Sequence, residues 1–208
     1  ARTLTTSGDT VTFTGTVNGA QDLTVDTTNS GGSSATVQFA STVGDTTKVG
    51  AIIITGNLDL DGNIIKTSDS SAGATSISVS GTSDLGADVT TTGTQQYDGV
   101  TTLSTNVILT TTDSNITFND KVISDSATNR NLTIDTNGNT GTVVFGNGTT
   151  DTVGVTNGYD LGVIGITGNL DLNAAIGNGG AAGATSISVS GTSNLGADVT
   201  TSSTQQYD

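Results

Sequence analysis

A duplication restricts the fold of this chain more than any other feature of it. The segment GATSISVSGTSDLGADVTTTGTQQYD at 73–98 returns at 183–208, altered only at Asp84/Asn194, Thr92/Ser202 and Gly93/Ser203. The correspondence continues upstream in the same order. ITGNLDL stands at 54–60 and 166–172, TVQF at 36–39 answers TVVF at 142–145, DLTVDT at 22–27 answers NLTIDT at 131–136, and DTVTF at 9–13 answers SNITF at 114–118. The offset drifts between 105 and 112 residues, so small insertions fall between the matched segments, where surface loops tolerate them. Two repeat units of about 110 residues result, 1–98 with its start incomplete and 99–208. The first unit runs on through QQYDGVTTLSTNVILTTTDSNITF, and ARTLTTSGDTVTF at the beginning looks like the tail of that same junction. The chain is therefore expected to be a window of a longer repeat array.

Within each unit the apolar residues alternate with Thr, Ser and Asn, the pattern of half-buried strands, and no stretch shows a 3.6-residue period. They fall into groups: Leu4, Val11, Phe13 and Val17; then Leu23, Val25, Val37, Phe39 and Val43; then Ile52, Ile54, Leu58, Leu60 and Ile64; then Ile77, Val79, Leu85 and Val89, after which the series restarts at Leu103. Gly, Asn, Asp and Ser punctuate the groups as turn residues. This spacing predicts an all-β chain, a parallel β-helix (β-solenoid) of about eight coils, four in each of two tandem units. The alternative is two tandem β-sandwich domains, since about 110 residues with seven short strands also describes an immunoglobulin-like module. With 3% aromatic residues and no Trp, a thick sandwich core is hard to fill, whereas a narrow solenoid lumen needs only Val, Ile, Leu and an occasional Phe.

Composition narrows the chemistry. Cys, His, Met, Trp and Pro are absent, and all 19 acidic residues are Asp. Disulfides are excluded, as is nucleophilic catalysis of the Ser-His-Asp or Cys-His kind. A formal net charge of -14 opposes binding to nucleic-acid phosphates or anionic membranes, and no apolar run approaches the roughly 20 residues that cross a bilayer. A chain rich in Thr and Gly and free of Cys suits a secreted bacterial surface protein that folds without oxidation.

LTVDTTNSGGSSATVQFASTVG, ITGNLDL and TTGTQQYDGVTTL resemble the repeats of giant bacterial surface adhesins, the haemagglutinin-like and autotransporter-type β-strand-repeat proteins. The resemblance covers almost the whole chain. It implies an extracellular location at the bacterial cell surface and a place in a long repeat stalk, and it brings no catalytic residues.

Candidate sites are few. Calcium is the ligand that the oxygen-rich composition would accept: NLDLDGN places Asn57, Asp59 and Asp61 at spacings like the start of an EF-hand loop, and DTNGNTG gives Asp135, Asn137 and Asn139, although both lack the closing Glu. The same residues also fit outward strand positions and turns. Asp59 and Asp61 are a carboxylate pair of the kind that hydrolyses or eliminates sugars, but the second unit carries Asp171 and then Asn173. GNGGAAG at 177–183 has dinucleotide-fingerprint glycine spacing, yet a strand, not a helix, follows it. Outward Thr12, Thr14 and Thr16, or Ser76, Ser78 and Ser80, suggest a flat array that orders water or ice, without regular continuation in other groups. Tyr97 and Tyr207 are expected to close the structural joint between repeats, the ring buried and the hydroxyl bonded to backbone.

These readings lead to a non-enzymatic structural segment, a stalk or filament supporting adhesion or self-assembly. The expected partners are copies of itself or flanking repeats end to end and a host-surface or glycan receptor. Neither nucleic acid nor membrane insertion is expected, and no cofactor beyond calcium. The alternative is a module on the same fold that binds glycan, calcium or ice.

Overall fold

A computed structural model describes residues 1–66, 68–69, 71–125, 128–138, 140–148, 150–154 and 160–208. The chain winds as a three-sided parallel β-solenoid of about eight turns. Sheet one has nine strands in order of sequence: Arg2–Thr5, Leu23–Asp26, Val49–Thr55, Ala74–Val79, Gln95–Tyr97, Ile116–Phe118, Thr142–Phe145, Asn169–Leu172 and Ser193–Leu195. Sheet two has eight: Val11–Phe13, Thr36–Phe39, Asn57–Leu60, Ser83–Leu85, Thr101–Leu103, Val122–Ser124, Thr152–Val153 and Ala175–Ile176. Sheet three has six: Val89–Thr90, Val107–Thr110, Arg130–Asp135, Leu161–Thr167, Ala184–Val189 and Gln205–Tyr207. Parallel bridges Val17–Val43, Val43–Ile64 and Ile64–Val89 carry sheet three down to the first turn. An antiparallel pair, Ile65–Lys66 with Ser71–Ala72, forms a small outgrowth.

Parallel pairing in all three long sheets excludes the two antiparallel sandwiches. Register explains why the alternation is so regular. Each inward residue stacks on its counterpart in the next turn, as in the column Leu4, Val25, Ile54, Val79, Tyr97, Phe118, Phe145, Leu172 and Leu195 of sheet one. A slip of one residue would turn the whole inward set to solvent. Aromatic residues use the same columns: Phe13 stacks on Phe39 with centroids 4.9 Å apart, Tyr97 on Phe118 at 5.3 Å, and Phe118 on Phe145 at 5.2 Å. One cluster of buried Val, Ile, Leu and Phe runs from Leu23 to Val189 and continues past the boundary between the units.

The two units are not related by a whole number of turns. Ala74–Val79 lies in sheet one, while its duplicate Ala184–Val189 lies in sheet three. Between them the chain returns to sheet one four times, at Gln95–Tyr97, Ile116–Phe118, Thr142–Phe145 and Asn169–Leu172, and then crosses two further faces. The expectation of four coils per unit is corrected accordingly: a unit is four turns and two faces. Near-identical segments consequently sit on different sides of the rod. Three sheets accept the same sequence because each asks only for alternate residues to point inward.

Candidate functional site: outer faces and open ends

The expected calcium ligands are spread over the surface. Asn57 lies on the strand Asn57–Leu60, where its Oδ1 accepts the Thr82 N–H at 3.0 Å and its Nδ2 donates to Ser34 O at 3.4 Å. Asp59 points outward from the same strand, and Asp61 beyond its end accepts the Gln38 amide at 2.9 Å. In the second group, Asp135 Oδ1 accepts the Asn137 N–H at 2.7 Å, closing an Asx turn in which Asn137 has φ 47°; Asn139 lies outside the described residues. Among the described residues, no group of three or more His, Cys, Asp or Glu is placed to hold a metal ion.

Asp59 differs from Asp26, Asp69 and Asp113 in the direction of its pKa shift, which is upward. Register sets it between Gln38 and Asp84 in adjacent turns. Partial burial, then the charges of Asp61 and Asp84, push its carboxyl above the usual range, with the Gln38 amide opposing. Asp59 and Asp84 line a surface groove of about 290 Å³ with Asn57, Thr82 and Thr102. In the second unit Asn194 replaces Asp84 and donates to Asp171 at 2.8 Å, so repulsion becomes a hydrogen bond.

The glycine-rich stretch 177–183 is a reverse turn. Asn178 and Ala181 exchange backbone hydrogen bonds of 3.1 and 2.9 Å around Gly179 and Gly180, whose φ values of 56° and 95° suit a type I′ turn. Of the expected threonine rank, Thr12 lies on the strand Val11–Phe13, and Thr14 and Thr16 lie beyond it.

Tyr97 ends the strand Gln95–Tyr97, one residue before the Asp98-Gly99 boundary between the units. Its ring is wholly buried against Phe118, and burial holds its hydroxyl well above the usual phenol range. The hydroxyl partner is a side chain, not backbone: it donates to Gln95 Oε1 at 3.1 Å. Gln95 Nε2 in turn donates to Thr110 O at 2.9 Å and Val89 O at 3.1 Å. This buried polar plug ties the strands Val89–Thr90, Gln95–Tyr97 and Val107–Thr110 together, and periodicity alone gives no sign of it because Gln95 occupies an inward position that aliphatic residues fill in neighbouring turns.

A second device escaped the sequence reading. Asn and Asp side chains at the corners accept backbone N–H groups from the following turn: Asn18 from Thr46, Asp22 from Ala51, Asn63 from Asp88, Asp88 from Ile108, Asn106 from Asn131, Asn115 from Thr142, Asn131 from Val163 and Asn169 from Thr192. They are inter-turn staples. The signal is present in the sequence as Asn or Asp recurring near the ends of apolar groups, where turn formation explains it equally well.

The arrangement around Tyr97 is repeated at Tyr207. Tyr207 donates to Gln205 Oε1 at 3.4 Å, and Gln205 Nε2 donates to Val199 O at 3.2 Å. Tyr207 is partly buried, and Leu195, the counterpart of fully buried Leu85, is 48% exposed. Leu4, Val11, Phe13 and Val17 are partly buried against the same core.

Stacked parallel strands, a filled aliphatic lumen and polar staples define a β-solenoid, a class of extended repeat protein. Comparison with protein-family models, curated proteins and solved structures found no match.

Proposed function

We propose that the chain is a non-enzymatic structural segment, a stalk or filament of an extracellular bacterial surface protein, and that it serves adhesion or self-assembly. The observation that carries this reading is the uninterrupted stack. Inward columns run through the boundary at Asp98-Gly99, where Asp98 N–H bonds Val79 O and Gly99 N–H bonds Gly81 O as at any other corner. Length is thus added by repeating sequence, with no new interface chemistry at each unit. Composition supports the extracellular setting, since a rod without Cys needs no redox partner, and the likeness to adhesin repeats supports the surface role.

The test is extension. Fusing another copy of residues 99–208 after Asp208 places Gly99 behind QQYD, as in the native joint. Solution scattering should then show a particle longer by about 22 Å at constant cross-section, from four and two-thirds turns at the inter-strand spacing. Growth as two separate beads refutes the rod, and polysaccharide turnover that disappears in Asp59→Asn refutes the non-enzymatic reading.

A further inference from the structure

We infer that the lumen of the rod binds one ordered water at the joint between the two units, held between the hydroxyls of Ser83 and Thr101.

The two residues belong to one inward column of sheet two, which reads Leu58, Ser83, Thr101 and Val122 in successive turns. Ser83 is its last member from the first unit and Thr101 its first from the second. Ser83 is 1% exposed and Thr101 wholly buried, yet neither hydroxyl has a hydrogen-bond partner within the protein. Their own backbone amides are committed to the ladder, with Ser83 N–H on Val100 O at 2.9 Å and Thr101 N–H on Lys121 O at 2.8 Å. A buried hydroxyl costs stability unless it is bonded, and where the protein offers no partner an ordered water supplies one. Two neighbours in one column with the same need point to a single shared ligand.

The geometry of a parallel stack suits that ligand. Paired residues on adjacent strands lie about 4.8 Å apart. A water about 2.8 Å from each of two oxygens at that separation subtends about 118°, near its preferred tetrahedral angle. Room comes from the column itself, because Ser83 covers Leu58 with a smaller side chain than the one beneath it. Leu58 and Val122, both buried, close the column on either side, and Leu85 and Leu103 fill the neighbouring inward column of the same strands. Two hydroxyls among aliphatic groups accept a small neutral molecule that both donates and accepts hydrogen bonds, and they offer far too few oxygens for a calcium ion. The water ties one hydroxyl from each unit to a common partner. With the plug formed by Gln95 and Tyr97, it concentrates the polar groups of the lumen where the units meet.

A high-resolution crystal structure of the native chain should show a water within about 3.2 Å of both oxygens. In solution, oxygen-17 relaxation dispersion, which counts long-lived internal waters, should find one fewer in the double variant Ser83→Ala, Thr101→Val. Urea unfolding closes the cycle. Each single substitution should lower the folding equilibrium constant about tenfold, and the double variant should lose much less than the product of the two, since no buried hydroxyl is then left without a partner. Circular dichroism checks that the variants fold, and the native crystal decides by itself if they do not. Direct bonding of Ser83 to Thr101, a dry column at this level, or an unchanged count of internal waters in the double variant overturns the inference. So does a gain in stability from either single substitution, because it would mean that the hydroxyls are buried without any partner.

Discussion

Asp59 and the stapling Asn residues show how one position on a rung is judged by its neighbours above and below. Asp59 gains less from the Gln38 amide than it loses to partial burial and to the charges of Asp61 and Asp84, and its raised carboxyl means that ionisation costs stability. Asp59→Asn should therefore stabilise the fold at neutral pH, by no more than ~0.5 kcal/mol because solvent screens exposed charges, and this is read as a small rise in the thermal midpoint. Other carboxylates work in the opposite direction. Hydrogen bonds from Thr28 hold Asp26 below the usual range, those from Thr140 hold Asp113 below it, and Lys66 with Ser71 brings Asp69 to about 2. A carboxyl lowered by folding stabilises above its unfolded value and loses that contribution as pH falls through its folded value. Acid titration followed by circular dichroism should thus show stability lost between about pH 4 and pH 2. The native chain should also gain slightly on acidification towards pH 4, and Asp59→Asn should lose that gain. No such gain in the native chain would show that the Asp59 carboxyl is not raised.

Each strand is short, and the sheet succeeds because the corners are tightly built. Gly44 and its counterpart Gly154 have φ values of 79° and 73°, and a Cβ on either would collide with a backbone carbonyl of the next turn, Gly73 or Gly183. Gly44→Ala should cost about 2–3 kcal/mol, measurable as a lowered urea midpoint with the slope unchanged. An effect below ~0.5 kcal/mol would mean that this corner relaxes freely. Ser83 and Thr101 present the opposite case. Both hydroxyls are buried on an inward column of sheet two without a hydrogen-bond partner, in a stretch where Gln95 and Tyr97 fill inward positions of sheet one. Strands at these positions were legible from alternation, but the polar interruptions were not, because Ser, Thr and Gln at inward sites break the pattern that located the strands.

For the whole molecule, the turns are held together from within by one continuous core. Interior columns and backbone ladders account for the stack, and Asp22, Asp88 and Asp113 accept backbone N–H groups of adjoining turns. Thermal unfolding should give the same midpoint in millimolar calcium and in chelator, within about 2 °C. A shift of many degrees would identify a metal-dependent fold and revive the binding-module alternative. About eight coils, parallel stacking and an aliphatic lumen could be read from the chain directly, since spacing between apolar groups equals the circuit of a coil and insertions fall at corners. The division of turns could not. Counting groups gave four per unit, whereas the duplicate of sheet one lies in sheet three.

The sequence by itself determined that strands alternate inward and outward, that they recur in coils, and that two units share one plan. Those properties follow from side-chain polarity at a period of two, which any face of the rod satisfies equally. Only the tertiary structure decided which face each copy occupies and which side chains meet between turns. Both depend on how far the chain travels before it returns above itself, a distance set by corner geometry, of which linear spacing is only a partial record.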